Sequence, residues 1–216
     1  MESENLIVYN SMKKIIDIID EDEKEQFIWD FARYIDEDFC EELLWSEEQI
    51  SRMLKNNEFD YLFFKKVPKN KKEVYKYFVG LANVKDKEHL SSLCSRGYGR
   101  KIFNWIDKKY NYPDWKIEAL PEAVMFWRKM GFKFFDENPK HGEFLEKLWK
   151  KHGYEIIKWL TGDVDVDSYK GNEMYYEAKD FINFVLKYKD ISEIYHMERK
   201  KTKKLSTIEK YLITFL

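Results

Sequence analysis

The sequence predicts an α+β protein, α/β in the broad sense: a mixed, mostly antiparallel twisted sheet flanked by helices, with a helical C-terminal extension. Three observations predict it. Between Phe59 and Val84 the runs FDYLFFKKV and EVYKYFVGLANV are dense in aromatic and β-branched residues, which suit a pleated, packed surface. From His89 onward strand-like and helix-like runs alternate, and helical crossovers favour a sheet with helices on its faces. The chain's two ends carry apolar residues at helical spacing, with charges between them.

Taken in order, ENLIVYN (residues 4–10) reads as a short first strand. From Ser11, Ile15, Ile16, Ile18, Ile19, Phe27, Ile28, Phe31 and Ile35 recur at roughly helical intervals, and DEDFCEELLW continues in that style. SEEQISRML opens with Ser46 and has Gln49 three residues later, the capping-box pattern in which each side chain satisfies an orphan amide. PKNKK reads as the turn of a hairpin joining the two aromatic runs. HLSSLCS, His89 to Ser95, is a third short strand, and GYGRKIFNWIDKKY a helix ended by Pro113. WKIEAL alternates as a strand. Pro121 suits the first turn of the helix PEAVMFWRKM, because its missing N–H has no partner to lose there, and Gly131 closes that helix. FKFF gives one more strand. After Pro139 three helical runs follow, the first two separated by TGDVDVDSYKG. The organisation expected is a body over residues 1–138 and a helical extension over 139–216.

Composition narrows the function classes. The 216 residues can bury a sizeable core without a staple. Lys and Arg number 38 against 40 Asp and Glu, a net charge of −2, which gives no electrostatic footprint for nucleic acid or an anionic membrane. The basic stretch ERKKTKK (Glu198 to Lys204) reads as a solvated loop or helix end. No apolar run approaches a membrane span of about 20 residues. Cys40 and Cys94 are the only cysteines. They form no disulfide framework or metal-ligand spacing, and the expectation is a reducing, cytoplasmic setting without a metal. DVDVD (Asp163 to Asp167) lacks the Gly and Glu of a calcium loop. The acidic stretches DEDEKE and DEDFCEE suit a cationic substrate but read more simply as solvated helix faces.

One stretch points to chemistry. In LCSRGYGRK, Leu93 to Lys101, a strand ends in a Gly-x-Gly turn that leads straight into a helix. Such a turn presents backbone N–H groups, and the helix dipole adds positive charge at the same spot, so the pair suits a phosphate or pyrophosphate. Gly97 and Gly99 remove the Cβ atoms that keep a ligand away. Arg96, Arg100 and Lys101 supply charge-assisted hydrogen bonds. The turn is neither a P-loop, since no Gly-Lys-Ser/Thr follows, nor the longer dinucleotide fingerprint, since the third glycine is missing.

A second stretch, AVMFWRKMGF from Ala123 to Phe132, follows the strand IEAL. Together and in this order the two resemble the GNAT family of N-acetyltransferases, over roughly residues 60–135. The resemblance implies a cofactor, acetyl-CoA, whose pyrophosphate lies on Arg96–Lys101 (Arg96, Gly97, Tyr98, Gly99, Arg100, Lys101). It implies backbone amides of Leu93, Cys94 and Ser95 facing the thioester, and Ala123, Phe126 and Trp127 on the far side of the cofactor. The activity implied is acetyl transfer to a primary amine of a small molecule or a protein. A general base must then deprotonate the amine, and Glu118, on the strand beside the expected cleft, is the candidate.

The chain departs from the family pattern at two positions. Cys94 stands where Gln or Arg is usual. Trp127 stands where many members carry a tyrosine that protonates the leaving thiolate, and an indole N–H is far too weak an acid for that. These departures motivate the alternative, a GNAT-fold binding or structural module without turnover. The extension 139–216 is expected either to pack on the core or to offer a surface for a homodimer or a protein partner.

Overall fold

The computed structural model describes residues 5–40, 45–86, 89–112, 114–119, 123–135, 139–155 and 196–200. The chain divides into two compact units, Met1–Tyr112 and Pro113–Leu216. The helical runs expected beyond residue 155, the DVDVD loop, Pro113 and Pro121 lie outside the described residues.

The first unit begins with β1 (Ile7–Tyr9) and α1 (Lys13–Ile16). The helical spacing from Ser11 to Ile35 is realised in separate helices, with a break after the first turn. Asp20 adopts extended backbone (ψ 142°) and a 3-10 turn, Glu21–Glu23, follows before α2 (Lys24–Arg33) begins. Aspartate competes with the helix backbone for hydrogen bonds, and the acidic cluster instead lies at the positive end of α2. A π-helix, Tyr34–Phe39, continues α2 and closes with Cys40 N–H donating to the Ile35 carbonyl at 2.7 Å. In α3 (Glu47–Lys55) the expected capping box is present: Gln49 N–H donates to Ser46 Oγ at 3.3 Å, and Ser46 N–H to Gln49 Oε1 at 2.9 Å.

β2 (Tyr61–Phe64) is buried along its whole length. The end of the expected turn PKNKK and the first five residues of the run EVYKYFVGLANV, expected as a strand, instead form a short helix, α4 (Lys71–Tyr77), and the strand begins only at Phe78. The start of α4 is fixed locally: Asn70 Oδ1 accepts from Glu73 N–H at 3.0 Å, and the Glu73 carboxylate accepts from Lys69 N–H at 2.9 Å. Tyr75 then packs edge-on against Phe27 and Phe31. β3 (Phe78–Asp86) and β4 (His89–Ser95) follow, then α5 (Gly99–Tyr110).

The four strands of this unit run β1-β2-β3-β4, each neighbouring pair antiparallel. Leu62, Phe64, Phe78 and Leu81 pack with Ile15, Phe27, Phe31, Ile35, Ile50 and Val74 on one face. On the other, Tyr61 and Phe63 meet Trp105 of α5 at 5.1 and 5.5 Å between ring centroids. Cover on both faces explains why YLFF reads as a continuous apolar run rather than an alternating one.

In the second unit β5 (Asp114–Glu118) is followed by α6 (Val124–Lys129), β6 (Lys133–Phe134), α7 (Pro139–His152) and β7 (His196–Lys200). The strands are ordered β5-β7-β6, with both pairings antiparallel. Met197 aligns with Ile117 on one side and Phe134 on the other, so the region after residue 138 contributes a central strand as well as α7. Glu198–Lys200 of the basic stretch belongs to that strand rather than to a solvated loop. Gly131 (φ 88°) and Gly153 (φ 62°) take the left-handed backbone that ends α6 and α7. Glu146 of α7 accepts from Arg128 Nη1 and, at 2.7 Å, from Phe134 N–H. This one carboxylate ties α7, α6 and β6 together.

Candidate functional site

β4 ends at Ser95 and α5 starts at Gly99, leaving only Arg96, Gly97 and Tyr98 between them. Gly97 has φ +72°, a conformation that side-chain-bearing residues rarely adopt. A Cβ built on it meets nothing within 4 Å, so the space beside the turn is open. Tyr98 is the N-cap residue, and its side chain makes no capping hydrogen bond to the start of α5. The first turn of a helix carries N–H groups that no earlier carbonyl can satisfy, and here they begin beside that open space.

Two features hold the turn in place. Ile102, Phe103 and Ile106 are fully buried under α5. Gly80 of β3 pairs with Ser95, and a Cβ on Gly80 would lie 2.5 Å from the Cys94 carbonyl oxygen and 2.7 Å from Ile102 Cδ1. Only glycine allows the helix to approach the sheet this closely, and that approach fixes the first turn of α5. Upstream, Asn83 aligns with Ser92 and Val84 with Leu90, so Ser91 is an extra residue that bulges β4. Leu93, Cys94 and Ser95 resume regular pairing with Ala82, Leu81 and Gly80.

Arg96, Arg100 and Lys101 are exposed around the turn. Ion pairs form away from the turn, at Lys24, Arg33, Lys55, Lys71 and Arg128. The Arg96 guanidinium lies over the Phe39 ring at 5.5 Å, and Lys101 Nζ over the Tyr98 ring at 5.2 Å. Burial raises the Tyr34 phenol above its ordinary value while the nearby Arg96 charge pulls the other way. The turn's first arginine is thus held against the aromatic end of the π-helix.

One expectation is corrected outright. Cys40 and Cys94, 54 residues apart, form a disulfide with their Cα atoms 6.1 Å apart, a separation such a bridge requires. The π-helix ends at Phe39, and this brings Cys40 to the end of β4. The bridge occupies the Cys94 sulfur, and it removes the argument from cysteine usage for a reducing compartment. Two isolated cysteines carry no spacing signal, which is why sequence reasoning missed the pair. Phe39, Tyr34 and Gly80 had no motif to mark them either.

Of the expected site residues, Leu93 through Lys101 come together in the first unit. Glu118, Ala123, Phe126 and Trp127 belong to the second. There Glu118 is the last residue of β5, in register with His196, and Ala123 is the N-cap of α6. Trp127 is buried, against Phe126 at 4.8 Å and Phe132 at 5.1 Å. Among the described residues no helix is long and apolar enough to cross a membrane, and no cluster of three or more His, Cys, Asp or Glu could hold a metal ion. No protein-family model, no curated protein and no solved structure matches the chain.

Proposed function

We propose that the protein is an acetyl-CoA-dependent N-acetyltransferase acting on a primary amine of a small molecule or a protein. The observation that carries this reading is the open Gly97 turn at the start of α5, ringed by Arg96, Arg100 and Lys101. That arrangement suits the diphosphate of CoA: amides and dipole take the charge, and the three cations add charge-assisted bonds. Acyl transfer then requires the thioester carbonyl near polarising backbone amides at the end of β4 and a neutral amine beside it.

A second reading has its own observation. Trp127 sits buried against Phe126 and Phe132, and an indole there offers no acid for a departing thiolate. A module that binds CoA without turnover fits that feature. Thermal unfolding with millimolar acetyl-CoA separates both readings from neither. Acetyl-CoA is expected to raise the Tm, and Gly97→Glu to abolish the rise by placing a negative side chain where phosphate lies. No rise with the unaltered protein rejects the CoA site. A rise without acetyl transfer to any of a panel of amines and polyamines selects the non-catalytic reading.

A further inference from the structure

We propose that the Cys40–Cys94 disulfide is a redox control on the anion-binding turn, acting through Phe39 as a positioning residue for Arg96; the inference rests on the CoA reading above. Cys94 lies three residues before Gly97 on the strand that feeds the turn, and Cys40 directly follows Phe39, whose ring carries the Arg96 guanidinium at 5.5 Å. The bridge therefore ties the aromatic platform to the backbone that bears the arginine, two residues from the cation itself. While it is closed, platform and turn share one frame and Arg96 is held at the mouth of the site. When it opens, the π-helix end and β4 lose the cross-link between them, and the arginine must be ordered anew each time an anion binds.

The chemistry is two-electron thiol–disulfide exchange with a dithiol reductant. A thiolate of the dithiol attacks the sulfur of Cys94, the less buried residue of the pair, Cys40 being 5% exposed. Cys40 leaves as thiolate and takes a proton. The second dithiol sulfur then displaces Cys94, which takes the other proton, and the reductant departs as a cyclic disulfide. Because the oxidised form is the preorganised one, it binds CoA more tightly. By reciprocity CoA makes the bridge harder to reduce, and a tenfold binding preference corresponds to a midpoint about 30 mV lower.

The experiment is titration calorimetry with CoA on the full chain, oxidised and then reduced with excess dithiothreitol, alongside oxidised Phe39→Leu. That variant keeps both cysteines and an apolar side chain at a buried position against Phe78 but removes the platform, and its Tm is measured beside its affinity so that a loss of folding is told from a loss of the contact. The expected result is CoA affinity weakened roughly 3- to 30-fold both by reduction and by Phe39→Leu, with more dithiothreitol needed for half-reduction when CoA is added. Equal affinity in the oxidised and reduced forms, with binding in both, overturns the redox inference and leaves the CoA site standing. Oxidised Phe39→Leu binding as tightly as the unaltered protein overturns the route through Arg96. Absence of CoA binding in every form removes the reading underneath.

Discussion

Replacing Gly80 with alanine tests whether the fold holds the turn by close approach. The added Cβ would lie 2.5 Å from the Cys94 carbonyl oxygen, 2.7 Å from Ile102 Cδ1 and 3.0 Å from Ser95 Cβ. Ordinary contact begins near 3.4 Å, so the methyl needs roughly 0.9 Å from a strand backbone and 0.7 Å from a fully buried isoleucine. Neither yields cheaply. The carbonyl belongs to a β4 residue paired with Leu81, and Ile102 lies in the first turn of α5 with no exposed surface. Overpacking of this kind costs about 1–3 kcal/mol, or about 2–12 °C in Tm for a chain of this size. Because the relief route is to lift the start of α5, CoA affinity should fall as well. The comparison is Gly97→Ala, where a methyl meets nothing but the residue must hold φ +72°; it should cost roughly 1–2 kcal/mol from backbone strain alone. Thermal or urea unfolding with and without CoA reads both variants. Gly80→Ala as stable as the unaltered protein, and binding CoA equally well, would refute the claim that α5 is set by its approach to β3.

Other consequences are simpler. Ser46→Ala removes the capping-box acceptor at the start of α3 and should cost about 1 kcal/mol in urea unfolding. Glu146→Gln leaves Arg128, over the rings of Phe134 and Trp149, without its carboxylate. With both partners mostly buried, the cost should be about 2–4 kcal/mol, read as a lower urea midpoint. Burial pushes the Tyr75 phenol up to about 12, and its neutral form is therefore the one the fold favours. Below pH 10 both folded and unfolded chains keep the proton, and this contribution is intact. As pH rises from 10 through 12 the unfolded chain ionises first, so stability falls. Urea midpoints at pH 8 and 11 should differ more for the unaltered protein than for Tyr75→Phe, and equal differences would remove Tyr75 from the account.

The elements most legible in the sequence were those whose causes are local. HLSSLCS becomes β4 with the expected bounds, and Ser46 with Gln49 makes the box its spacing predicts, because both depend on neighbours a few residues away. Gly131 ends its helix for the same reason. The helix α4 was hidden because its cap, Asn70, sits among lysines that resemble a turn, and its packing onto Phe27 and Phe31 is a long-range event. β7 was hidden more deeply. HMERK has no apolar alternation of its own, and it becomes a strand by pairing with β5 and β6, with Met197 buried between Ile117 and Phe134. At the candidate site the glycine turn was visible from the residues that compose it. The residues that fix the turn from outside its own helix, Gly80, Phe39 and Cys40, lie 16 or more residues before Arg96 and leave no local trace.

The location of the disulfide is what gives it meaning beyond stability. Closing a loop of 54 residues lowers the entropy of the unfolded chain by an amount equivalent to about 4 kcal/mol. A chain of this length, with Phe27, Phe31, Phe63, Phe64 and Phe103 fully buried in its first unit, can assemble a core without such a staple. Entropic stabilisation depends on loop length and is nearly indifferent to which strand end the bridge touches. A bridge placed at the far end of β4, beside His89, would stabilise the unfolded balance almost equally and would leave the turn untouched. The observed bridge instead joins the two residues that flank the Phe39–Arg96 contact, Cys40 next to Phe39 and Cys94 two before Arg96. Stability accounts for the presence of a crosslink; only the turn accounts for this one's address.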